Sequence, residues 1–248
     1  MKKVALITGA SGGIGGEIAR IYAEQGYDLA LTYYSHEEAV NNLVSELTKK
    51  YHGKYTTHHC DLSQEDGIIN MVDSIMTIHS RIDTLINNAG ISIDTLFADK
   101  TTDDFRYTME VNVIGVFTLS RLVGDIMYEQ KGGSIINISS TNGINTYFPM
   151  CVDYDASKSA LISLTHNLAV QYSPFIRVNA IAPGFIGTAN EVDNMDDEYI
   201  ESEKEKILTH TIGEPRDVAE LCYFLSSEKA KFINNTVIRI DGGMYGSI

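Results

Sequence analysis

Tyr154 and Lys158 are the pair in this sequence whose types and spacing could do chemistry together. Residues four apart on a helix share a face, so a phenol and an ammonium would stand about one turn apart. A free phenol titrates near ~10 and is a poor proton donor or acceptor at neutral pH. A neighbouring cation favours the phenolate and lowers that value, which makes a general acid–base group workable near neutrality. The same spacing arises by chance on many solvated helices. It gains weight only beside a redox cofactor site and an orienting hydroxyl.

The hydroxyl is supplied by Ser139-Ser140, which end a predicted strand from Ser134 to Ser139. A strand end and the next helix start lie on one rim of an α/β sheet, so a hydroxyl there can face Tyr154. The cofactor site is supplied near the start of the chain. Lys3 to Thr8 is a short apolar run that reads as a buried strand. Gly9-Ala10-Ser11-Gly12-Gly13-Ile14-Gly15 follows, then an amphipathic helix through Ile18, Ile21 and Tyr22. Strand, glycine turn and helix in succession are the context in which glycines let the backbone approach a pyrophosphate at a helix N-terminus.

The remaining elements alternate. Strands are predicted over Asp28 to Tyr34, Lys54 to Cys60, Ile82 to Ile86, Ile176 to Ile181 and Thr236 to Ile240. Helices are predicted behind Ser35 (a capping box with Glu38), behind Ser63, over Phe105 to Glu129, from Tyr154, and from Gly213-Glu214-Pro215 through Val218, Leu221 and Phe224. Asn112 sits among apolar neighbours in the long helix, and a polar amide there must find hydrogen bonds. Strands alternating with helices imply a parallel sheet covered on both faces. The expected fold is α/β, a single-domain doubly wound Rossmann-type fold with a seven-stranded parallel sheet over residues 1–248. Glu191 to Glu205 is dense in carboxylates, with Lys204 the lone cation. It reads as a mobile substrate lid over about 187–212, or as a solvated surface helix.

The end of the second strand selects the cofactor in such folds. A carboxylate there would bind a ribose 2′-hydroxyl and select NAD. Tyr33, Tyr34 and Ser35 stand there instead, with His36 the only candidate cation, so NADP is favoured over NAD. Asp61 at the third strand's end could accept from an adenine amino group, or simply cap its own turn. Composition narrows the rest. Three scattered cysteines give neither a disulfide framework nor a zinc site, no metal is expected, and a reducing, cytoplasmic setting suits them. No stretch reads as a membrane span or a signal peptide. A net charge of −14 disfavours nucleic acid and anionic membranes as partners.

The order and spacing of Thr8-Gly9, Gly13, Gly15, Asp61, Asn87-Asn88-Ala89-Gly90, Asn112, Ser140, Tyr154, Lys158 and Pro183-Gly184 strongly resemble the short-chain dehydrogenase/reductase family, in its 3-oxoacyl-[acyl-carrier-protein] reductase type. The resemblance spans essentially the whole chain, down to Gly213-Glu214-Pro215 and Asp241-Gly242-Gly243. It implies that Tyr154 protonates a carbonyl oxygen as hydride arrives and that Lys158 holds the nicotinamide ribose and lowers the phenol pKa. It implies that Ser140 holds the substrate oxygen and that Asn112, in a helix bulge, supports a water chain to Lys158. Gly9, Gly13, Ile14 and Gly15 would carry the pyrophosphate, with Ser11 beside them. Tyr34 and Ser35 would meet the adenosine ribose, and Asp61 and Leu62 the adenine. Asn88, Ala89 and Gly90 would meet the other ribose, and Pro183, Gly184, Ile186 and Thr188 the nicotinamide. A homotetramer is the expected assembly.

The leading expectation is therefore an NAD(P)H-dependent oxidoreductase that reduces a ketone, 3-oxoacyl or similar, to a secondary alcohol. The alternatives are an NAD-dependent dehydrogenase of a sugar, polyol or steroid-like alcohol, and a non-catalytic nucleotide-binding Rossmann protein. An acyl carrier protein is a poor fit as partner. Near the active rim the sequence reads Asp125, Glu129 and the acidic 191–205 segment, with Lys131 nearly the only cation, and like charges slow and weaken docking.

Overall fold

The computed structural model describes residues 2–145, 148–188 and 195–245. Its strands are β1 (Val4–Ile7), β2 (Asp28–Tyr33), β3 (Tyr55–His59), β4 (Thr84–Asn87), β5 (Gly133–Ile138), β6 (Ile176–Pro183) and β7 (Val237–Ile240). All neighbours pair in parallel, in the order β3-β2-β1-β4-β5-β6-β7. This is the seven-stranded Rossmann-type sheet expected from the alternation. Ile7 shows why the strands read as apolar runs. It pairs with Leu31 on β2 and Ile86 on β4, and all three are fully buried. A central strand covered on both faces has no polar side.

Helices α1 (Gly13–Glu24), α2 (Glu37–Lys50) and α8 (Pro215–Ser226) build one core layer, while α3 (Glu65–His79), α5 (Val116–Glu129) and α6 (Val152–Gln171) build the other. The chain runs outward from β1 to β3, then returns to place β4 on the other side of β1. That reversal opens a crevice between β1 and β4 at their C-terminal ends, where such sheets bind ligands.

The long predicted helix is three pieces. It begins earlier than Phe105, with α4 (Thr102–Met109), because Thr101 and Asp104 close a reciprocal capping box across 3.1 and 3.0 Å. A π-helical turn, Glu110–Gly115, then widens the helix before α5. The run Thr102–Glu129 is long and apolar enough to cross a bilayer by length and composition, contrary to the sequence reading. Leu119, Val123 and Met127 of this run are fully buried in the domain, while Ile114, Phe117 and Tyr128 are exposed.

Two helix starts differ from expectation. The N-cap of α2 is His36, with no side-chain cap, and the Ser35 hydroxyl instead meets His36 Nδ1 at 2.9 Å. Before α3, Asp61 Oδ1 accepts from the Ser63 amide at 2.9 Å and the Ser63 hydroxyl at 2.7 Å, so Asp61 rather than Ser63 closes that turn. On α8 the core stripe is Val218, Cys222 and Leu225, and Phe224 lies off it, exposed. Of the expected lid, residues 189–194 lie outside the described residues. The described part holds α7 (Asp197–Glu205), anchored by buried Ile200 and Ile207. The segment's two ends lie together, since Ile186 bridges to Gly213 and the Gly187 amide donates to the Gly213 carbonyl at 2.8 Å.

Candidate active site

The turns after β1 and β4 are stitched together at the crevice. The Thr8 hydroxyl accepts from the Asn88 and Ala89 amides, each at 3.0 Å, and Asn88 Nδ2 donates to the Thr8 and Gly9 carbonyls at 3.0 and 3.1 Å. Gly9 adopts φ 67, a left-handed conformation open to glycine. A Cβ on Gly15 would lie 2.2 Å from the Gly9 carbonyl oxygen, so α1 can start this close to the turn only with glycine there. The α1 N-terminus has no side-chain cap and no acidic residue in its first turn. By contrast α2, α3, α4, α6, α7 and α8 each begin with acidic residues. A helix end with open amides and no competing carboxylate fits a pyrophosphate.

Two cavities flank this turn and share Asn88 and Gly90 as a common wall. One, of about 310 Å³, is lined by Gly9, Ser11, Tyr34, Ser35, Asp61, Leu62 and Ala89. The other, of about 230 Å³, is lined by Ile14, Ser140, Tyr154, Lys158, Pro183, Gly184, Ile186 and Thr188. Three of the expected residues stand behind the walls. Gly13 and Gly15 shape the turn, and Asn112 is buried beneath the second cavity's floor, where a Cβ on Gly90 would come within 3.2 Å of its Oδ1.

Tyr154 and Lys158 share one row of α6, as their spacing requires. The Lys158 ammonium lies 5.3 Å from the Tyr154 ring centroid and donates to the Ile138 carbonyl at 2.8 Å. Lys158 is 4% exposed, and burial pushes its pKa down to about 8. Below that value it is a cation set against a half-buried phenol.

The two serines are sorted by their partners. The Ser139 hydroxyl is buried and donates to the Lys158 carbonyl at 2.9 Å, so it ties β5 to α6. Ser140 is less buried, its Oγ accepts from the Asn142 amide at 3.2 Å, and it lines the cavity. Gly143 lets this loop lie on α6, since a Cβ there would stand 2.6 Å from the Lys158 carbonyl carbon. Asn112 spans elements from the π turn. Its Oδ1 accepts from the Ile91 amide at 2.8 Å, and its Nδ2 donates to the Ile91 carbonyl at 2.8 Å and to Ser157 Oγ at 3.0 Å. A π turn shifts backbone pairing by one residue and marks functional positions in many helices.

Sequence reasoning missed Tyr107 and Val111 in the first cavity and Ile138 and Phe185 in the second. Tyr107 and Val111 are four apart on one helix, a signal that was available. Phe185 stands between two expected residues and belongs with them. The charge reading near the rim needs correction. Glu129 and Lys131 precede β5, at the N-terminal end of the strands and opposite the rim that carries Tyr154, where Lys131 lines a separate cavity with Lys3, Arg81 and Arg177.

Residues 9–245 match the family described as Enoyl-(Acyl carrier protein) reductase. The chain is 35% identical to the 3-oxoacyl-[acyl-carrier-protein] reductase FabG of Thermotoga maritima, over 98% of this chain and 97% of that one. It superposes on levodione reductase with a TM-score of 0.91 at 31% identity, covering 97% of this chain and 96% of that one. It superposes on 3-oxoacyl-[acyl-carrier protein] reductase from Brucella melitensis with a TM-score of 0.90 at 31% identity, covering 98% and 91%.

Proposed function

This chain belongs to the short-chain dehydrogenase/reductase family, and we propose from that premise that Tyr154, Lys158, Ser140 and Asn112 carry its reaction. The chain is a 3-oxoacyl-[acyl-carrier-protein] reductase-like oxidoreductase that reduces a ketone with a nicotinamide dinucleotide. The observation that carries the residue assignment is the meeting of Ser140, Tyr154 and a buried Lys158 in one cavity beside the β1–β4 crevice.

When bound, the reduced nicotinamide supplies the hydride. Tyr154 gives its phenolic proton to the substrate oxygen, and the Ser140 hydroxyl donates a hydrogen bond to the same oxygen. Lys158 stabilises the phenolate that is left, because its charge is buried beside the ring where screening by water is weak. Asn112 holds the Ile91 segment and α6 at fixed separation through its bonds to Ile91 and Ser157. Tyr154→Phe tests this set. Turnover of every accepted ketone should fall by roughly a hundredfold or more while cofactor affinity holds, as for loss of a general acid. Unchanged turnover would remove Tyr154 from the mechanism.

NADPH is the favoured cofactor, because no β2 carboxylate lines the first cavity while Ser35 does, with His36 beside it. Glu37 and Glu38, in the first turn of α2, oppose a 2′-phosphate and hold the preference to a modest margin. The substrate is a small ketone presented free rather than on an acyl carrier protein. Cations on the segments bordering the cleft are already taken: Lys100 pairs with Asp153, Arg106 with Asp103, Lys204 with Glu201 and Lys206 with Glu203. We assign α7 to the substrate lid, on a segment whose ends meet at Ile186 and Gly213. Exposed Ile114, Phe117, Tyr128 and Val170 on the α5 and α6 side supply the apolar faces of a homotetramer in the cytoplasm.

A further inference from the structure

The residue before Tyr154 is an aspartate with no solvent exposure, and the proposed mechanism does not use it. A carboxylate so placed is costly unless it is paired and hydrogen-bonded. Asp153 is both. Its Oδ1 lies 2.9 Å from the Lys100 ammonium, whose side chain is 5% exposed, and its Oδ2 accepts from the Thr108 hydroxyl at 2.6 Å. Lys100 also donates to the Ile93 carbonyl. One buried ion pair therefore joins three pieces of chain: the segment after β4, the helix α4 that leads into the Asn112 turn, and the start of α6.

The placement matters because of helix geometry. Asp153 and Ser157 are four apart and form one row of α6, and Tyr154 and Lys158 form the neighbouring row, about 100° further round the axis. The first row is held at both positions from the α4 side, by Lys100 and Thr108 at Asp153 and by Asn112 at Ser157. A helix gripped along one row cannot roll, so the next row is aimed. Here the next row points the phenol and the ammonium into the cavity. Burial pushes the Asp153 pKa up, but Thr108 and Lys100 outweigh it and the carboxylate stays below its ordinary value. The pair is thus a charged, fixed peg rather than a neutral contact.

We propose that Lys100 and Asp153 are positioning residues for the reaction, fixing the roll of α6 and with it the aim of Tyr154 and Lys158. This rests on Tyr154 being the acid. The other charged groups around this seat are Asp104 on α4, Asp94 in the segment after β4, and Asp155 and Lys158 on α6. Most of these are acidic, so unpairing Asp153 adds net negative potential beside the phenol.

The test compares Lys100→Met, Lys100→Arg, the double variant Lys100→Met/Asp153→Asn and Tyr154→Phe, using a ketone the wild type reduces. Lys100→Met should lower kcat by roughly tenfold or more, with cofactor affinity held within about twofold, as for a displaced catalytic group. Its alkaline limb of kcat should move to higher pH, because an unpaired carboxylate raises the phenol pKa. Lys100→Arg should restore both. The double variant removes both charges, so it should fold as the wild type does and return the limb to its place while kcat stays low. Wild-type kcat and an unmoved limb in the folded variants would overturn the proposal, and if Lys100→Met does not fold, wild-type kcat in the double variant does so alone. An active Tyr154→Phe would instead defeat the assignment of the acid on which the proposal stands.

Discussion

Lys158 sets its ammonium 2.8 Å from the Ile138 carbonyl, shielded from solvent, and burial alone pushes its pKa down to about 8. A lysine held there is costly to the fold. Its ordinary value is 10.5, so between about 8 and 10.5 the unfolded chain binds more protons than the folded one, and stability rises with pH across that window. Below about 8 the full cost, roughly 3 kcal/mol, is present. Lys158→Met should abolish turnover yet stabilise the protein at neutral pH by about 1–3 kcal/mol, the lower figure allowing for the lost hydrogen bond. Denaturant unfolding at several pH values checks this. The gap between variant and wild type should close as pH climbs past 8, and a gap independent of pH would refute the account.

Gly143 offers a second handle on Lys158, through the backbone. A Cβ there would stand 2.6 Å from the Lys158 carbonyl carbon and 2.7 Å from its oxygen, and neither atom is the free end of a side chain. The Ser140 loop or α6 must shift. Gly143→Ala should cost about 1–3 kcal/mol of stability and lower kcat more than it weakens cofactor binding. Thermal unfolding and steady-state kinetics read the two effects separately. Wild-type kcat in this variant would mean that the loop can give way without moving Ser140 relative to Tyr154.

Cofactor choice is open to a gain-of-function test at Gly12. Its backbone is extended, at φ 170, and a Cβ there meets nothing within 4 Å, so a long side chain enters without strain. Gly12→Arg should tighten NADPH by roughly tenfold, about 1.4 kcal/mol, and leave NADH within about twofold. Fluorescence titration of both cofactors against wild type and variant measures it. In the wild type NADPH should bind more tightly than NADH. Equal or tighter NADH would give the lead to an NAD-dependent alcohol dehydrogenase.

Docking of an acidic acyl carrier protein should be undetectable at micromolar concentration. The chain carries a net charge of −14, and the cations bordering the cleft are paired internally. Titration by calorimetry or anisotropy at two salt concentrations decides it. Micromolar binding that weakens as salt rises would show that a basic surface elsewhere, such as the one formed by Lys3, Arg81, Lys131 and Arg177, recruits the carrier.

Much of this protein was legible in one dimension because its signals are local. A buried parallel strand must be an apolar run, so the seven strands could be placed within a residue or two. Gly9 and Gly15 announce a turn that no larger residue can make, and Tyr154 with Lys158 must share a helix face. Helix starts were less legible, because several side chains can compete for the same amides. Asp61 won over Ser63, and Ser35 turned to His36 instead of capping α2.

What the tertiary structure decided is which side chains were already spoken for. The resemblance put Ser140 ahead of Ser139 without a physical reason. Packing separates them by partner, since the Ser139 hydroxyl donates to the Lys158 carbonyl while Ser140 Oγ accepts from the Asn142 amide, though both line the cavity. Sequence could count Lys131 among the cations but could not see that it lies at the N-terminal end of the strands, away from the rim that carries Tyr154. Nor could it find Lys100 and Asp153, whose pairing links residues 53 positions apart and exists only because α4 is laid against α6. Types and spacings determine what chemistry a chain can attempt. Burial and long-range partners determine which atoms are left to do it, because a group's charge and reach depend on neighbours that only folding brings together.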